Sequence, residues 1–82
     1  MKEFALTILE TAKIHEESWD DDKGYTLSLE SSAILGCKRT GFEKRHVSII
    51  CMMLTSLWND ILKWAENELK ETEDGISTGS PS

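Results

Sequence analysis

Hydrophobic residues are most concentrated in the segment from Val47 to Leu69. Seven of its first eight residues, VSIICMML, are apolar, so a helix formed here is apolar on every side. A helix on the surface of a globular protein normally keeps one polar face. The pattern therefore predicts a long helix that is covered from more than one direction, by the rest of the chain or by a second protein.

Within this segment, apolar residues recur in a stripe at alternating steps of three and four. Such spacing is typical of a helix–helix seam, although the core stripe of a single chain produces it too. We interpret the stripe and its flanks as a dimer or partner interface formed by Val47, Ile50, Met53, Leu54, Leu57, Trp58, Ile61 and Trp64. Met52 lies off the stripe beside Ile49, where an adaptable methionine suits either the core or a partner contact.

The length of this helix favours self-association. A helix over residues 41–72 would be about 48 Å long, whereas a compact monomer of this size is roughly 30 Å across. The helix therefore either breaks or extends beyond its own domain, where a second chain can cover it. We expect a homodimer, or a subunit of a larger complex, in which the apolar helix is buried against its partner.

Two shorter helices are predicted before the long one. Residues 3–17 place apolar side chains at helical spacing, and residues 27–35 lie between Thr26 as an N-cap and Gly36 as a C-cap. Thr40 and Glu43 have the spacing of a capping box. The long helix is therefore predicted to start near residue 41 and to continue to residue 72.

The sequence thus predicts an all-α fold in which two short helices pack on one long C-terminal helix. An α+β alternative stays open, because residues 3–10 and 25–30 also alternate apolar and polar side chains, as in a hairpin of two strands. In both cases residues 1–73 form one small domain. Residues 74–82, DGISTGSPS, have the composition of a disordered tail.

Charge divides the chain into three parts. The total is −6, made up of −5 over residues 1–30, +3 over residues 31–50 and −4 over residues 51–82. An acidic total disfavours non-specific binding to nucleic acid but leaves room for a local contact by the basic centre. The acidic arms would set specificity towards a partner through charge complementarity.

The basic centre contains the sequence LGCKRTGFEKR, residues 35–45. This stretch resembles the turn and the recognition-helix start of helix-turn-helix DNA-binding domains, in which a short helix ends at Leu-Gly and basic residues open the second helix. The resemblance implies that Lys38, Arg39, Lys44 and Arg45 contact DNA. Asn and Gln, which read adenine, are absent from the stretch. A small transcriptional regulator that uses residues 36–46 on DNA is therefore the alternative function.

No catalytic, cofactor or metal site is predicted. Cys37 and Cys51 are too few for a disulfide framework. Together with His15 and His46, they lack the close pair of ligands that structural zinc sites have. A chain of 82 residues rarely forms a concave active site alone, so we expect neither an enzyme nor a small-molecule substrate.

The expected function is that of a small, non-enzymatic interaction or regulatory protein. Its longest apolar run, residues 47–58, is too short to span a bilayer. The N terminus has no visible secretory signal, because Glu3 and Glu10 interrupt any apolar region. We therefore expect a cytoplasmic protein with free thiols and no membrane contact.

Overall fold

The computed structural model describes the backbone of residues 2–77 and the side chains of residues 2–70. Its elements are α1 (Lys2–Glu17), β1 (Trp19–Asp20), β2 (Gly24–Tyr25), α2 (Leu29–Thr40), a 3₁₀ turn (Lys44–His46) and α3 (Val47–Ser77). Three helices pack together, and the sheet among the described residues consists of two antiparallel strands of two residues each. The predicted mainly α-helical fold is confirmed.

The first helix, α1, forms where the 3.6-residue periodicity places it. Ala5, Ile8 and Ala12 recur at helical spacing and are all buried. The alternative of a strand over residues 3–10 is therefore wrong, because these side chains reach the core only in a helix. The second alternative strand, over residues 25–30, is reduced to Tyr25 at the end of a short hairpin.

Three consecutive aspartates, residues 20–22, lead into the turn of the hairpin. The Oδ1 atom of Asp20 accepts hydrogen bonds from the backbone N–H groups of Asp22 at 2.8 Å and Lys23 at 3.2 Å. Gly24 follows with a φ of 83°, a left-handed conformation that glycine adopts without strain. This turn returns the chain towards the C-terminal end of α1, where α2 begins.

A ladder of small and polar residues joins α1 to α2 in antiparallel directions. Its three rungs are spaced by one helical turn: Thr7 with Thr40, Thr11 with Gly36, and His15 with Ser32. The hydroxyls of the first rung are 2.7 Å apart, and the Nδ1–Oγ distance in the third is 3.4 Å. Each rung has at least one short side chain or a glycine on α2, which allows the two helices to approach closely.

The bounds predicted for α2 are wrong at both ends. Ser28, not Thr26, is the N-cap, and its Oγ accepts a hydrogen bond from the N–H of Ser31 at 3.0 Å. Gly36 lies inside the helix and is buried, while Gly41 ends it with a φ of 76°. Gly36 is needed for the contact with Thr11 rather than for a left-handed cap.

The predicted capping box at the start of the long helix is also wrong. Thr40 is the last residue of α2, and its hydroxyl donates to the carbonyl of Gly36 at 3.0 Å. The Glu43 carboxylate binds the Arg45 guanidinium at 3.0 Å instead of turning back to Thr40. As a result, α3 begins at Val47 after the 3₁₀ turn, not at residue 41.

The long helix breaks at Leu57, whose φ of −135° and ψ of 46° are not helical. We call residues 47–56 α3a and residues 58–77 α3b. Ile49 lines a groove with Phe4, the Trp58 ring lies 6.0 Å from His15, and the Trp64 ring lies 6.0 Å from Phe4. Since Phe4 and His15 are at opposite ends of α1, α3b returns along α1 after the break.

This break corrects the prediction of a continuous helix over residues 41–72. The chain contains no Gly or Pro near Leu57, so no local sequence signal predicts the break. Because α3b returns along α1 after the break, α3 is not the straight helix from which self-association is predicted above.

All three helices contribute to the core, α2 through small residues and α1 and α3 through small and large ones. Its buried members are Ala5, Ile8, Ala33, Cys37, Val47, Ile50, Leu54, Ile61 and Ala65. No helix in the described part of the chain is long and apolar enough to cross a membrane. The predicted tail, residues 74–82, lies largely outside the described residues, and α3 continues as far as Ser77.

Candidate functional site

The helix α3a presents two apolar faces, of which only one is covered. Its inner side chains, Val47, Ile50 and Leu54, are buried in the core, and the last two are 0% exposed. On the opposite side, Ile49 and Met52 are 44% and 62% exposed. The sequence predicts a helix that is apolar on every side. Within a single chain, the rest of the fold therefore covers only one side of α3a and leaves the other exposed.

We define the outer α3a face as five exposed residues: Ser48, Ile49, Met52, Thr55 and Ser56. None of them is charged, and no Lys, Arg, Asp or Glu occurs between Arg45 and Asp60. Charged residues make up 29% of the chain, so a charge-free helix face this long differs from the rest of the surface. Exposed apolar patches bounded by polar residues commonly mark interaction sites.

An apolar groove extends the face at its N-terminal end. It is lined by Phe4, Phe42, His46 and Ile49, with Glu3 at its edge. The Phe4 and Phe42 rings are 5.6 Å apart, and Phe42 lies 4.9 Å from the His46 ring. The groove exists because Gly41 ends α2 sharply and the extended residues after it bring Phe42 over α1.

The C-terminal end of the face has a different character. Leu57, at the break, is 52% exposed, and a shallow depression beside it is lined by Thr55, Ser56 and Asp60, among others. Asp60 makes no ion pair with any described side chain. The uncharged face therefore ends at an available carboxylate.

The residues predicted as an interface fall into three groups. Val47, Ile50, Leu54 and Ile61 are buried among α1, α2 and α3, where a second chain cannot reach them without opening the core. Met53, Trp58 and Trp64 are half-buried against the same core. Leu57 alone of the eight is exposed. The heptad-like stripe thus serves mainly as an intramolecular core stripe.

The sequence interpretation missed the side of the helix that is open. Ile49 and Met52 expose the most apolar surface on α3a but were left outside the predicted interface. The available signal was the absence of any polar side on the first turns of the helix. The side of α3a that is covered depends on where α1 and α2 pack. The sequence of the helix alone does not indicate their position.

The four basic residues do not form one cluster on a recognition helix. Lys38 and Arg39 belong to the last turns of α2, whereas Lys44 and Arg45 lie in the 3₁₀ turn. The Arg39 guanidinium binds Glu10 at 3.1 Å, and Arg45 binds Glu43. The Leu-Gly pair that resembled a helix end is inside α2, so the turn predicted there is wrong.

An aromatic cluster covers the opposite end of α1. The His15 and Tyr25 rings stack at 3.8 Å, and Trp19 meets Tyr25 edge-on at 4.9 Å. Tyr25 and His15 line a depression that reaches Thr55 and Trp58 on α3. This surface adjoins the outer α3a face, but its rings already contact one another.

The two thiols are poorly suited to chemistry. Burial raises the pKa of Cys37 above its usual range. Burial also raises the pKa of Cys51, and the nearby charges of Glu30 and Cys37 raise it further. Thiols held in the neutral form are weak nucleophiles and weak metal ligands. Among the described residues, no three His, Cys, Asp or Glu side chains are grouped to hold a metal ion.

Comparisons of the chain with protein families, with curated protein sequences and with solved structures find no match.

Proposed function

We propose that this chain is a non-enzymatic interaction protein that binds a partner protein through the outer α3a face. The observation that carries the proposal is the exposure of Ile49 and Met52 on a helix face without charge, in a chain whose net charge is −6. The inner side of the same helix supplies the core. Binding would therefore leave the fold of the chain unchanged.

The energetic gain from covering this face is modest but useful. Burying a fully exposed side chain of this size contributes about 1.5–3 kcal/mol. Ile49 and Met52 are each about half exposed, so covering them contributes roughly 1 kcal/mol apiece. Methionine suits a contact surface because its unbranched side chain adapts to the shape of a partner.

The chemistry of the face supports a protein partner over DNA. Base edges in the major groove are read mainly by Arg, Lys, Asn and Gln side chains. The outer α3a face offers hydroxyl and aliphatic groups, and the nearest arginine, Arg45, is already bound to Glu43. Lys38 and Lys44 remain available for phosphates, but two lysines on an acidic chain make a weak nucleic-acid surface.

A pull-down with three baits tests the proposal in extracts of the source organism. The tagged chain, its Met52→Glu variant and an Asn67→Glu control are compared by quantitative mass spectrometry. Asn67 is exposed on α3b and lies away from the face, so the control adds the same charge elsewhere. We expect a protein that the wild type and the control retain and that Met52→Glu loses by at least about tenfold, the effect of a 1.4 kcal/mol change.

Equal retention by all three baits would show that the outer α3a face does not bind a partner. Circular dichroism of each variant checks that the helices are intact. Retention of nucleic acid at low salt that depends on Lys38 and Lys44, with no dependence on Met52, would instead favour the DNA-binding alternative.

A further inference from the structure

We infer that the partner on the outer α3a face is a second copy of this chain, packed antiparallel with Met52 at the two-fold axis. This inference rests on the proposed function and names the occupant of the same surface. It is carried by the distribution of charge at the two ends of the face and by the sizes of the side chains along it.

The two ends of the face have opposite charges. Lys44 and Arg45 lie four and three residues before its first residue, Ser48, and Asp60 lies four residues after its last, Ser56. Lys44 and Asp60 are equally far along the chain from Met52, so an antiparallel pair centred on Met52 brings each lysine to the end that carries the other chain's aspartate. A parallel pair would place like charges together, which is unfavourable.

The break at Leu57 does not remove Asp60 from this end. Asp60 lines one depression together with Thr55 and Ser56, so this residue remains beside the last turn of α3a. Neither Lys44 nor Asp60 makes an ion pair within the described side chains. Each is therefore available to the other chain, and the C-terminal end of a helix also attracts a cation.

The sizes of the side chains are complementary in the same arrangement. With Met52 on the axis, Ile49 of one copy falls opposite Thr55 and Ser56 of the other. A large aliphatic side chain then meets two small ones, and the two Met52 side chains meet each other. A two-fold interface uses one patch twice, so this self-complementarity is what a symmetric dimer requires.

The charge of the whole chain also selects this face. Each copy carries −6, so two copies repel one another when acidic surfaces meet. The outer α3a face contains no acidic residue. Of the carboxylates around it, Glu43 binds Arg45, Glu3 lies at the groove, and Asp60 faces Lys44 of the other copy in this arrangement. Association here avoids most of the repulsion that other orientations would meet.

The dimer is expected to be reversible. One short helix face and its adjoining groove are at the low end of specific interfaces, which bury about 1,200–2,000 Å² in total. We therefore expect a Kd in the micromolar range, on the order of 10 µM, and a mixture of monomer and dimer at working concentrations.

Sedimentation equilibrium over a wide concentration range tests the inference. The wild type is expected to shift from 9.3 kDa towards twice that mass as its concentration rises. Met52→Glu places two carboxylates against each other at the axis and is expected to raise the Kd at least about tenfold. Asn67→Glu, which adds the same charge on α3b, is expected to leave the Kd within about twofold of the wild type.

A charge exchange tests the orientation of the two copies. Lys44→Asp is expected to weaken the dimer, and adding Asp60→Lys in the same chain is expected to restore it, because each pair is then reversed but complementary. Both residues are exposed, so neither change disturbs the core. If the double variant associates more weakly than Lys44→Asp alone, the antiparallel pairing is wrong.

The failures of the two proposals are distinguishable. A wild type that stays at 9.3 kDa up to millimolar concentration overturns self-association, whereas the pull-down still decides whether a different protein uses the face. A dimer that Met52→Glu leaves unchanged overturns the inference, because the chain then associates through another surface, and the pull-down again decides whether a different protein binds the outer α3a face.

Discussion

Gly36→Ala tests the close approach of α1 and α2, on which the position of every other element depends. Inside an exposed helix this change would stabilise the protein by about 1 kcal/mol, because alanine has the higher helix propensity. Gly36 is buried, however, and a Cβ atom placed on it would lie 3.2 Å from the Cα and N atoms of Thr11 and closer still to its hydroxyl. The contact changes the sign of the expected effect.

The magnitude follows from the distances. Carbon atoms pack best at about 3.5–4.0 Å, so the helices must separate by a few tenths of an ångström. Overpacking of this kind typically costs about 1–3 kcal/mol, and the separation also weakens the hydrogen bond between Thr7 and Thr40. Subtracting the gain of about 1 kcal/mol in helix propensity leaves about 0–2 kcal/mol, and the weakened hydrogen bond adds up to about 1 kcal/mol, so we expect a loss of about 1–2 kcal/mol in the free energy of unfolding.

Urea denaturation followed by circular dichroism measures this loss. In a chain of this length, 1 kcal/mol corresponds to a fall of roughly 4–8 °C in the Tm. Lys38→Ala, on the exposed side of α2, serves as the control and is expected to change stability by less than about 0.5 kcal/mol. Adding Thr11→Ala to Gly36→Ala removes the hydroxyl nearest to the new methyl group. The double variant is therefore expected to lose at least about 0.5 kcal/mol less in the free energy of unfolding than the sum of the two single changes.

A stabilising effect of Gly36→Ala would refute this reasoning. It would mean that there is room for a methyl group between Gly36 and α1. The ladder would then not hold the two helices at the described separation. Additive effects of the Gly36 and Thr11 changes would contradict the contact in the same way.

Three further predictions concern single side chains. Ser28→Ala removes the N-cap of α2 and is expected to lower the free energy of unfolding by about 1 kcal/mol in urea denaturation; no loss would mean that another group caps the helix. Leu54→Ala is expected to cost about 2–5 kcal/mol and Leu57→Ala less than about 1 kcal/mol, because only Leu54 is buried; equal losses would contradict the orientation of α3a. Burial raises the pKa of Cys37 in the folded chain. The contribution of its neutral thiol to the free energy of unfolding is therefore expected to be fully present below the usual thiol pKa and to be lost as the pH rises through the pKa in the folded chain. Cys37→Ala is expected to reduce this loss of stability at alkaline pH. If the free energy of unfolding of the variant depends on pH as in the wild type, the buried thiol is not its cause.

The periodicity of the sequence was sufficient to predict α1 and the helical character of α3. It was not sufficient to assign Gly36, since a glycine near the end of an apolar run suits both a C-cap and a close helix contact. The choice depends on Thr11, which is distant in sequence. The capping-box spacing at Thr40 failed for the same reason, because its hydroxyl is engaged by Thr7 across the helix interface.

The break at Leu57 is the clearest case in which tertiary packing overrides local sequence. No residue there disfavours a helix strongly, yet α3b gains contact with α1 only if the chain changes direction. The candidate site has a related origin. The helix sequence predicts that α3a needs cover on more than one side, while the placement of α1 decides that Ile49 and Met52 are the residues left exposed.

The central claim is that the outer α3a face is covered by a second copy of the chain. Its most direct test is an isotope-filtered nuclear Overhauser experiment on a mixture of chains, one labelled with ¹³C at the methionine methyl groups and one unlabelled. We predict intermolecular signals from the Met52 methyl group to the Met52 and Thr55 methyl groups of the other copy, weakened in Lys44→Asp, which keeps the Met52 methyl group. A millimolar sample in which the Met52 methyl group shows intramolecular signals alone would contradict the claim.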